Sequence, residues 1–335
     1  MNANLKKVIR YFLVLSLTLV LLYLAFRKID WNEFAKELKS CNYWWIFAAM
    51  MTGFVDTLAR GFRWRLMLLP IDPKLKRIDC YNAYAVCYLA NLAFTRSGEV
   101  VRCGMITDNS KVSFKDAMGS MVLERAWDVA VSFIIAIAMV FLTDFGDFIV
   151  IKIWKPFIES MSDKTMWLLL AFLFVFAVSV ITAIGNKNRI KRTKFGAMIV
   201  NFLKGMLNGV KAAFKMKHNG RFLIYTIFIQ FMYWVQVVCV IKAFPAVSHL
   251  DGMDALFIMI VGLLGWIVPV QGGFGAYHVL VTMALVPVCG LDQQTALIFA
   301  TISHESQVAQ MIILGLIALL TVAYLKRKRI NKQTL

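Results

Sequence analysis

The chain has 335 residues, of which 60% are hydrophobic and only 17% are charged. Soluble domains are about half apolar and about a quarter charged, so this composition excludes a soluble globular enzyme, a disordered chain and a fibrous protein. The 37 basic residues outnumber the 19 acidic ones and give a net charge of +18. Because they stand mostly at the ends of apolar runs, we interpret them as setting membrane orientation and contacting anionic lipid, not nucleic acid.

Six apolar segments are long enough for membrane-spanning helices, which need about 20 apolar residues. They are residues 8–26, 44–69, 117–142, 166–184, 222–244 and 295–325. Two further apolar stretches are interrupted, residues 81–105 by charged residues and a glycine, and residues 255–288 by Pro269 and a glycine-rich run.

The distribution of basic residues predicts the orientation of these segments. Residues 185–221 carry ten lysines and arginines without an acidic residue, which predicts a cytoplasmic amphipathic segment on the inner leaflet. Both termini are also expected on the cytoplasmic side of a bacterial-type inner membrane. Residues 245–254 lack Lys and Arg and are expected on the outer side. The predicted sides of the neighbouring spans require each interrupted stretch to enter and leave the membrane on the same side. Each is therefore predicted to form a re-entrant helical hairpin. Two short spans are the alternative for each.

The expected fold is an all-α polytopic membrane protein with about six full spans and two re-entrant hairpins in an inverted repeat. Residues 1–335 form one integral membrane domain. Its first half, residues 1–142, has a hairpin near 81–105, and its second half, residues 166–325, has one near 255–288. Inverted repeats with broken helices near the middle of the membrane are a recurring architecture of transporters. The interrupted stretches are therefore the predicted working site.

Charged residues of the first hairpin form one candidate site. Arg96, Glu99 and Arg102 are spaced by three, so they lie close to one face of a helix. Charges in the membrane are costly, and the planar guanidinium suits a phosphate. We expect Arg96 and Arg102 to bind an anionic lipid head group, with Glu99 orienting them. Arginines that snorkel from the cytoplasmic interface are the alternative.

A second polar cluster lies within the third predicted span. Glu124 and Asp128 share a helix face at i, i+4 and would repel each other without a cation nearby. We interpret Glu124, Arg125 and Asp128 as a supporting buried network that links this span to the first hairpin. The alternative is a shallow helix start at the cytoplasmic surface.

The glycine-rich run of the second hairpin is the third candidate. Pro269 ends a helix, and Gly272, Gly273 and Gly275 permit a tight reversal with exposed backbone N–H groups, suited to an anionic head group. A packing turn is the alternative.

Other polar residues lie within the apolar segments and are further candidates. His278, His304 and Glu305 are candidates for a cavity or a coupled proton. Asp56 and Arg60 are spaced to pair within the second span, where Arg63 and Arg65 are expected to snorkel.

The three ordered motifs resemble those of the lysylphosphatidylglycerol synthase transmembrane-region family, over nearly the whole chain. They are Arg96-Ser97-Gly98-Glu99 with Arg102, Glu124-Arg125 with Asp128, and Pro269 with the glycine run. The resemblance implies a stand-alone, flippase-like membrane protein without the synthase domain. The lipid it implies is a phospholipid, an aminoacyl lipid or a polyprenyl-linked sugar, because Gln271, His278 and His304 depart from the family pattern.

The sequence therefore predicts a lipid flippase or scramblase without cofactor, metal or catalytic residues. It contains no HExxH, P-loop or metal-ligand spacing. A membrane transferase acting on a lipid-linked substrate, and a non-catalytic partner of a separate synthase, stay open as alternatives. So does assembly as a homo-oligomer.

Overall fold

The computed structural model describes residues 16–27, 29–95, 97–108, 110–142, 155 and 218–333. Among these residues the regular elements are helices, with no strand. The α-helices are α1 (Ser16–Phe26), α2 (Trp31–Ser40), α3 (Tyr43–Leu68), α4 (Arg77–Ala93), α5 (Gly98–Thr107), α6 (Phe114–Leu142), α7 (Asn219–Ala243), α8 (Gly252–Ile267), α9 (Ala276–Cys289) and α10 (Gln293–Gln333). Short 3₁₀ turns cover Pro245–Val247 and Gln271–Gly273.

The chain divides into two compact units. The first contains residues 1–121 and 216–335, and the second contains residues 122–215. In the first unit α3 packs along α7, while α10 packs on both α4 and α9. The first unit therefore holds both interrupted stretches.

Helix starts are fixed by polar caps in the loops. Asp30 accepts from the backbone N–H groups that open α2, and Asn42 does the same for α3. At α8, Asp251 and Asp254 form a reciprocal capping box. These caps satisfy backbone donors that an apolar environment leaves unpaired.

Each interrupted stretch folds as a helical hairpin. The first consists of α4 and α5, of 17 and 10 residues, and the second of α8 and α9, of 16 and 14 residues. Glycines permit close packing of the arms: a Cβ on Gly265 would lie 2.7 Å from the Tyr277 Cα. The predicted hairpins are thus present as helix–turn–helix units, and their re-entrant placement in a membrane stays a prediction.

Helices long and apolar enough to cross a membrane are present among the described residues. Three segments meet that test by length and composition, namely Asn219–Ala243, Gln271–Cys289 and Gln293–Arg327. The second predicted span is also a continuous helix, α3, although it carries four charged residues. Residues 166–184 and most of the basic segment 185–221 lie outside the described residues.

Charged side chains of α3 are buried inside the first unit. Asp56 and Arg60 form the expected i, i+4 ion pair at 3.2 Å, and Arg60 also donates to the Tyr233 hydroxyl. The prediction that Arg63 snorkels is wrong. Its side chain is fully buried, donates to Thr226 Oγ1 at 3.2 Å and lies over a phenylalanine ring of α7. The arginine faces a neighbouring helix because α7 packs along this part of α3.

Candidate functional site at the hairpin tips

The turn between α8 and α9 depends on glycine. Three of its residues have positive φ, 53° at Gly272, 73° at Gly273 and 76° at Gly275. Side chains with a Cβ rarely adopt this conformation, so the sequence needs glycine at these positions. The tight reversal predicted from the glycine run is therefore what the structure contains.

The tip of the second hairpin touches the tip of the first. Gln271 Nε2 donates a long hydrogen bond of 3.5 Å to the carbonyl of Ala93, the last residue of α4. A Cβ on Gly272 would lie 2.8 Å from Leu92 Cδ2. The broken ends of the two predicted halves therefore meet, and they do so through backbone and small or neutral side chains.

The turn of the first hairpin is closed by local hydrogen bonds. The N–H of Gly98 donates to Asn91 Oδ1 at 2.8 Å, and the Ser97 hydroxyl donates to the Phe94 carbonyl at 2.9 Å. Glu99 follows directly and is partly exposed. Arg96, the predicted head-group ligand in this segment, lies outside the described residues.

Two histidines and a glutamate lie beside the glycine turn. His304 is fully buried; its Nε2 is 2.8 Å from the Gly272 carbonyl and its Nδ1 is 3.0 Å from Glu305 Oε1. His278 is only 1% exposed, and its Nε2 is 3.7 Å from the same carboxylate oxygen. Trp266 stacks on the His304 ring with centroids 5.2 Å apart. The residues that the sequence suggested for a cavity or a coupled proton, His278, His304 and Glu305, thus lie together beside this tip.

Arg102, the other predicted head-group ligand, is enclosed by aromatic rings. It is fully buried, and its guanidinium carbon lies 4.7 Å from the Trp64 ring centroid and 4.3 Å from that of Tyr84. The Trp64 indole in turn donates to Ser120 Oγ at 2.8 Å. A desolvated cation over two rings is held by their quadrupoles, which gives Arg102 a structural role. Binding of a head group by Arg102 stays a prediction.

The acidic cluster of α6 belongs to the second unit. Glu124 is fully buried, while Arg125 and Asp128 form an ion pair at 3.9 Å with 39% of the arginine side chain exposed. Such an exposed pair contributes little to stability. The link from this cluster to the first hairpin stays a prediction.

A comparison with protein-family models gives a match over most of the chain. The model described as lysylphosphatidylglycerol synthase TM region matches residues 11–315. The chain belongs to this family. No curated protein and no solved structure gives a significant match. The resemblance inferred from the three motifs is confirmed, and the chain is a membrane protein related to lipid synthesis or flipping.

This family member also has a basic cavity that the sequence did not predict. Its volume is about 60 Å³, and it is lined by Phe62, Arg65, Leu66, Leu69, Arg77, His218, Arg221 and Tyr225. These residues come from the end of α3 and the starts of α4 and α7. No sequence pattern joins them, because the three helix ends are distant along the chain.

Proposed function

We propose that this protein moves a lipid with a polar or anionic head group between membrane leaflets, as a flippase or scramblase. The contact between the two hairpin tips supports the proposal. Gly272, Gly273 and Gly275 of the second tip are irregular or turn backbone and Gly272 and Gly273 are buried, and irregular backbone at membrane depth is tolerated where it is buried in protein or lines a wet cavity. A meeting point of this kind offers backbone N–H groups to a head group.

In this proposal the head group passes where the tips meet, and the acyl chains stay in the bilayer. Gly272, Gly273 and Gly275 supply the tight turn, and Arg96 and Arg102 supply positive charge from the first hairpin. Glu99, Glu124, Arg125 and Asp128 support them. Without a nucleotide-binding motif in the sequence, transport runs downhill or is coupled to an ion. No enzymatic step is part of the proposal.

The proposed orientation places both termini in the cytoplasm of the inner membrane and the hairpins in the membrane as re-entrant pairs. Cysteine labelling in right-side-out membranes tests it. We expect Ser248→Cys, in an exposed loop, to react with an impermeant reagent added outside. Ile190→Cys, in the basic segment, is expected to react only after permeabilisation. The reverse pattern overturns the orientation.

Leaflet exchange in proteoliposomes tests the function. Vesicles containing a fluorescent phospholipid are treated with dithionite, which bleaches only the outer leaflet unless the protein exchanges lipid. We expect bleaching beyond half of the lipid with the wild-type protein and none beyond half in protein-free vesicles. Mass spectrometry of the same lipid separates the alternatives, since a changed lipid product indicates a transferase. Exchange that appears only after a synthase is added indicates a partner protein.

Two glycine variants locate the exchange at the tips. Gly272→Ala places a Cβ 2.8 Å from Leu92 at a φ of 53°, whereas Gly290→Ala has a comparable φ of 66° with no atom within 4 Å. Both variants suffer backbone strain, but only the first crowds the tip contact. We expect Gly272→Ala to lose most of the exchange activity and Gly290→Ala to keep it. Equal activity of the two variants contradicts the proposed path.

A further inference from the structure

His278, His304 and Glu305 form a cluster that lipid movement by itself does not explain. One ligand atom from each residue lies within 4.8 Å of the other two. The two histidines are 26 positions apart in the chain, on α9 and α10, so the cluster exists only in the folded protein. Two buried imidazoles and a carboxylate this close together are a donor set for a metal ion.

The hydrogen bonds of His304 leave one nitrogen facing the cluster. The Gly272 carbonyl can only accept, so Nε2 carries the proton and donates to it at 2.8 Å. Nδ1 then presents its lone pair 3.0 Å from Glu305 Oε1, which is also an acceptor. Two lone pairs at this distance repel unless a cation, either a proton or a metal ion, lies between them. Metal-ligating histidines commonly donate their other N–H to a backbone carbonyl in this manner.

His278 provides the independent observation. Its side chain is 1% exposed, and neither of its ring nitrogens has a hydrogen-bond partner among the described residues. A buried polar group left unsatisfied costs about 1–3 kcal/mol, so such groups call for an explanation. The imidazole ring lies 4.8 Å from the His304 ring by centroids, and Nε2 is aimed at the Glu305 carboxylate at 3.7 Å. A metal ion in the cluster satisfies this nitrogen.

Two of the three spacings between ligand atoms are close to those around a tetrahedral ion. Ligands about 2.1 Å from zinc in tetrahedral geometry are about 3.4 Å from one another. The two distances to Glu305 Oε1, 3.0 and 3.7 Å, lie on either side of that value, and the two histidine nitrogens lie within 4.8 Å of each other. Glu305 is 45% exposed at its side chain, which gives the ion access to the cluster. Three protein ligands also leave a fourth position open.

We propose that His278 Nε2, His304 Nδ1 and Glu305 bind a divalent transition-metal ion of the zinc class. Two imidazoles and one carboxylate favour zinc, cobalt or nickel over magnesium and calcium, which prefer oxygen ligands. The ion joins α9 to α10, and through the His304–Gly272 hydrogen bond it holds the glycine turn in place.

Metal binding to the purified full chain tests this proposal. The protein is isolated with a tag that lacks histidine, stripped with a chelator and titrated with Zn²⁺ in a calorimeter. We expect one Zn²⁺ per chain and a higher unfolding temperature, with no effect of Mg²⁺. Co²⁺ is expected to give the intense visible absorption of a four-coordinate site. Binding of Mg²⁺ alone, or no binding by folded protein, overturns the proposal.

Three variants make the test specific. His278→Phe keeps an aromatic ring in the cluster and removes a ligand. We therefore expect the affinity for Zn²⁺ to fall by about 100-fold or more. Glu305→Gln changes a partly exposed side chain and keeps the protein foldable, and it too is expected to weaken binding and alter the Co²⁺ spectrum. His249→Gln, in an exposed loop, is the matched control and is expected to bind as wild type. Wild-type affinity in both ligand variants overturns the site.

This proposal and the transport proposal fail separately. Zinc binding is measured in detergent without lipid exchange, and exchange is measured with and without chelator. If the titration shows no zinc binding and exchange still proceeds, the site is refuted and the transport proposal stands. Zinc binding without exchange refutes transport and supports the site.

Discussion

Gly98 is the position at which the first hairpin is most sensitive to added volume. A Cβ there would lie 2.0 Å from the carbonyl oxygen of Cys87 and 2.8 Å from Asn91 Cγ. The first neighbour is backbone, so it moves only if the two arms of the hairpin separate. Gly98 does not have a positive φ, so the penalty of substitution comes from the clash and not from backbone strain.

We predict that Gly98→Ala lowers the free energy of unfolding by about 3 kcal/mol, the upper end of the usual cost of overpacking. The cost is at the upper end because neither side of the clash moves freely. The carbonyl belongs to a helix, and the N–H of Gly98 is hydrogen-bonded to Asn91. The matched control is Gly104→Ala in the same helix, where a Cβ meets nothing within 4 Å. Alanine is preferred to glycine in a helix by about 0.5–1 kcal/mol, so this control is expected to stabilise the protein.

Unfolding by sodium dodecyl sulfate in mixed micelles, followed by tryptophan fluorescence, measures both variants against wild type. The expected result is a shift of the midpoint in opposite directions. A Gly98→Ala protein as stable as wild type, or two variants that shift in the same direction, refutes the close packing of the hairpin arms.

Three further predictions concern the charged groups. Arg102→Lys loses the planar stacking between two aromatic rings and is expected to cost about 1–2 kcal/mol of unfolding free energy; an unchanged midpoint refutes the structural role. Asp56→Asn leaves Arg60 as a buried cation and is expected to cost about 3–5 kcal/mol, with a double substitution at both positions costing less than the sum of the single ones. Hydrogen bonds from Thr295 lower the pKa of Asp292 below its ordinary value of 3.8. The stabilisation from this carboxylate is therefore present above pH 3.8 and lost as the pH falls further, so Asp292→Asn should show a smaller decrease in unfolding temperature between pH 5 and pH 3; equal decreases in the two proteins contradict it.

Features encoded locally in the sequence were predictable. The glycine turn follows from three residues that need positive φ, and the Asp56–Arg60 pair follows from i, i+4 spacing on one helix. Both interrupted stretches also fold as hairpins, since charge and glycine break the apolar runs. Local composition was sufficient in each case because the interacting residues are close along the chain.

Features made by helix packing were not predictable. The position of Arg63 near a helix end predicts a snorkelling side chain, but the side chain donates to Thr226 of α7, which is distant along the chain. The aromatic enclosure of Arg102 brings together α3, α4 and α5. The metal-ligand set likewise needs α9 and α10 side by side, because His278 lies 26 positions before His304. One sequence without contact information does not show which helices are neighbours.

Cross-linking of the two hairpin tips tests the central claim most directly. Ala93→Cys and Gln271→Cys introduce a pair where the tips touch. Exchange is measured in proteoliposomes before oxidation, after oxidation and after reduction, with each singly substituted protein as control. If head groups pass between the tips, the cross-linked protein loses exchange and reductant restores it. Full exchange in protein shown to be cross-linked would contradict the account.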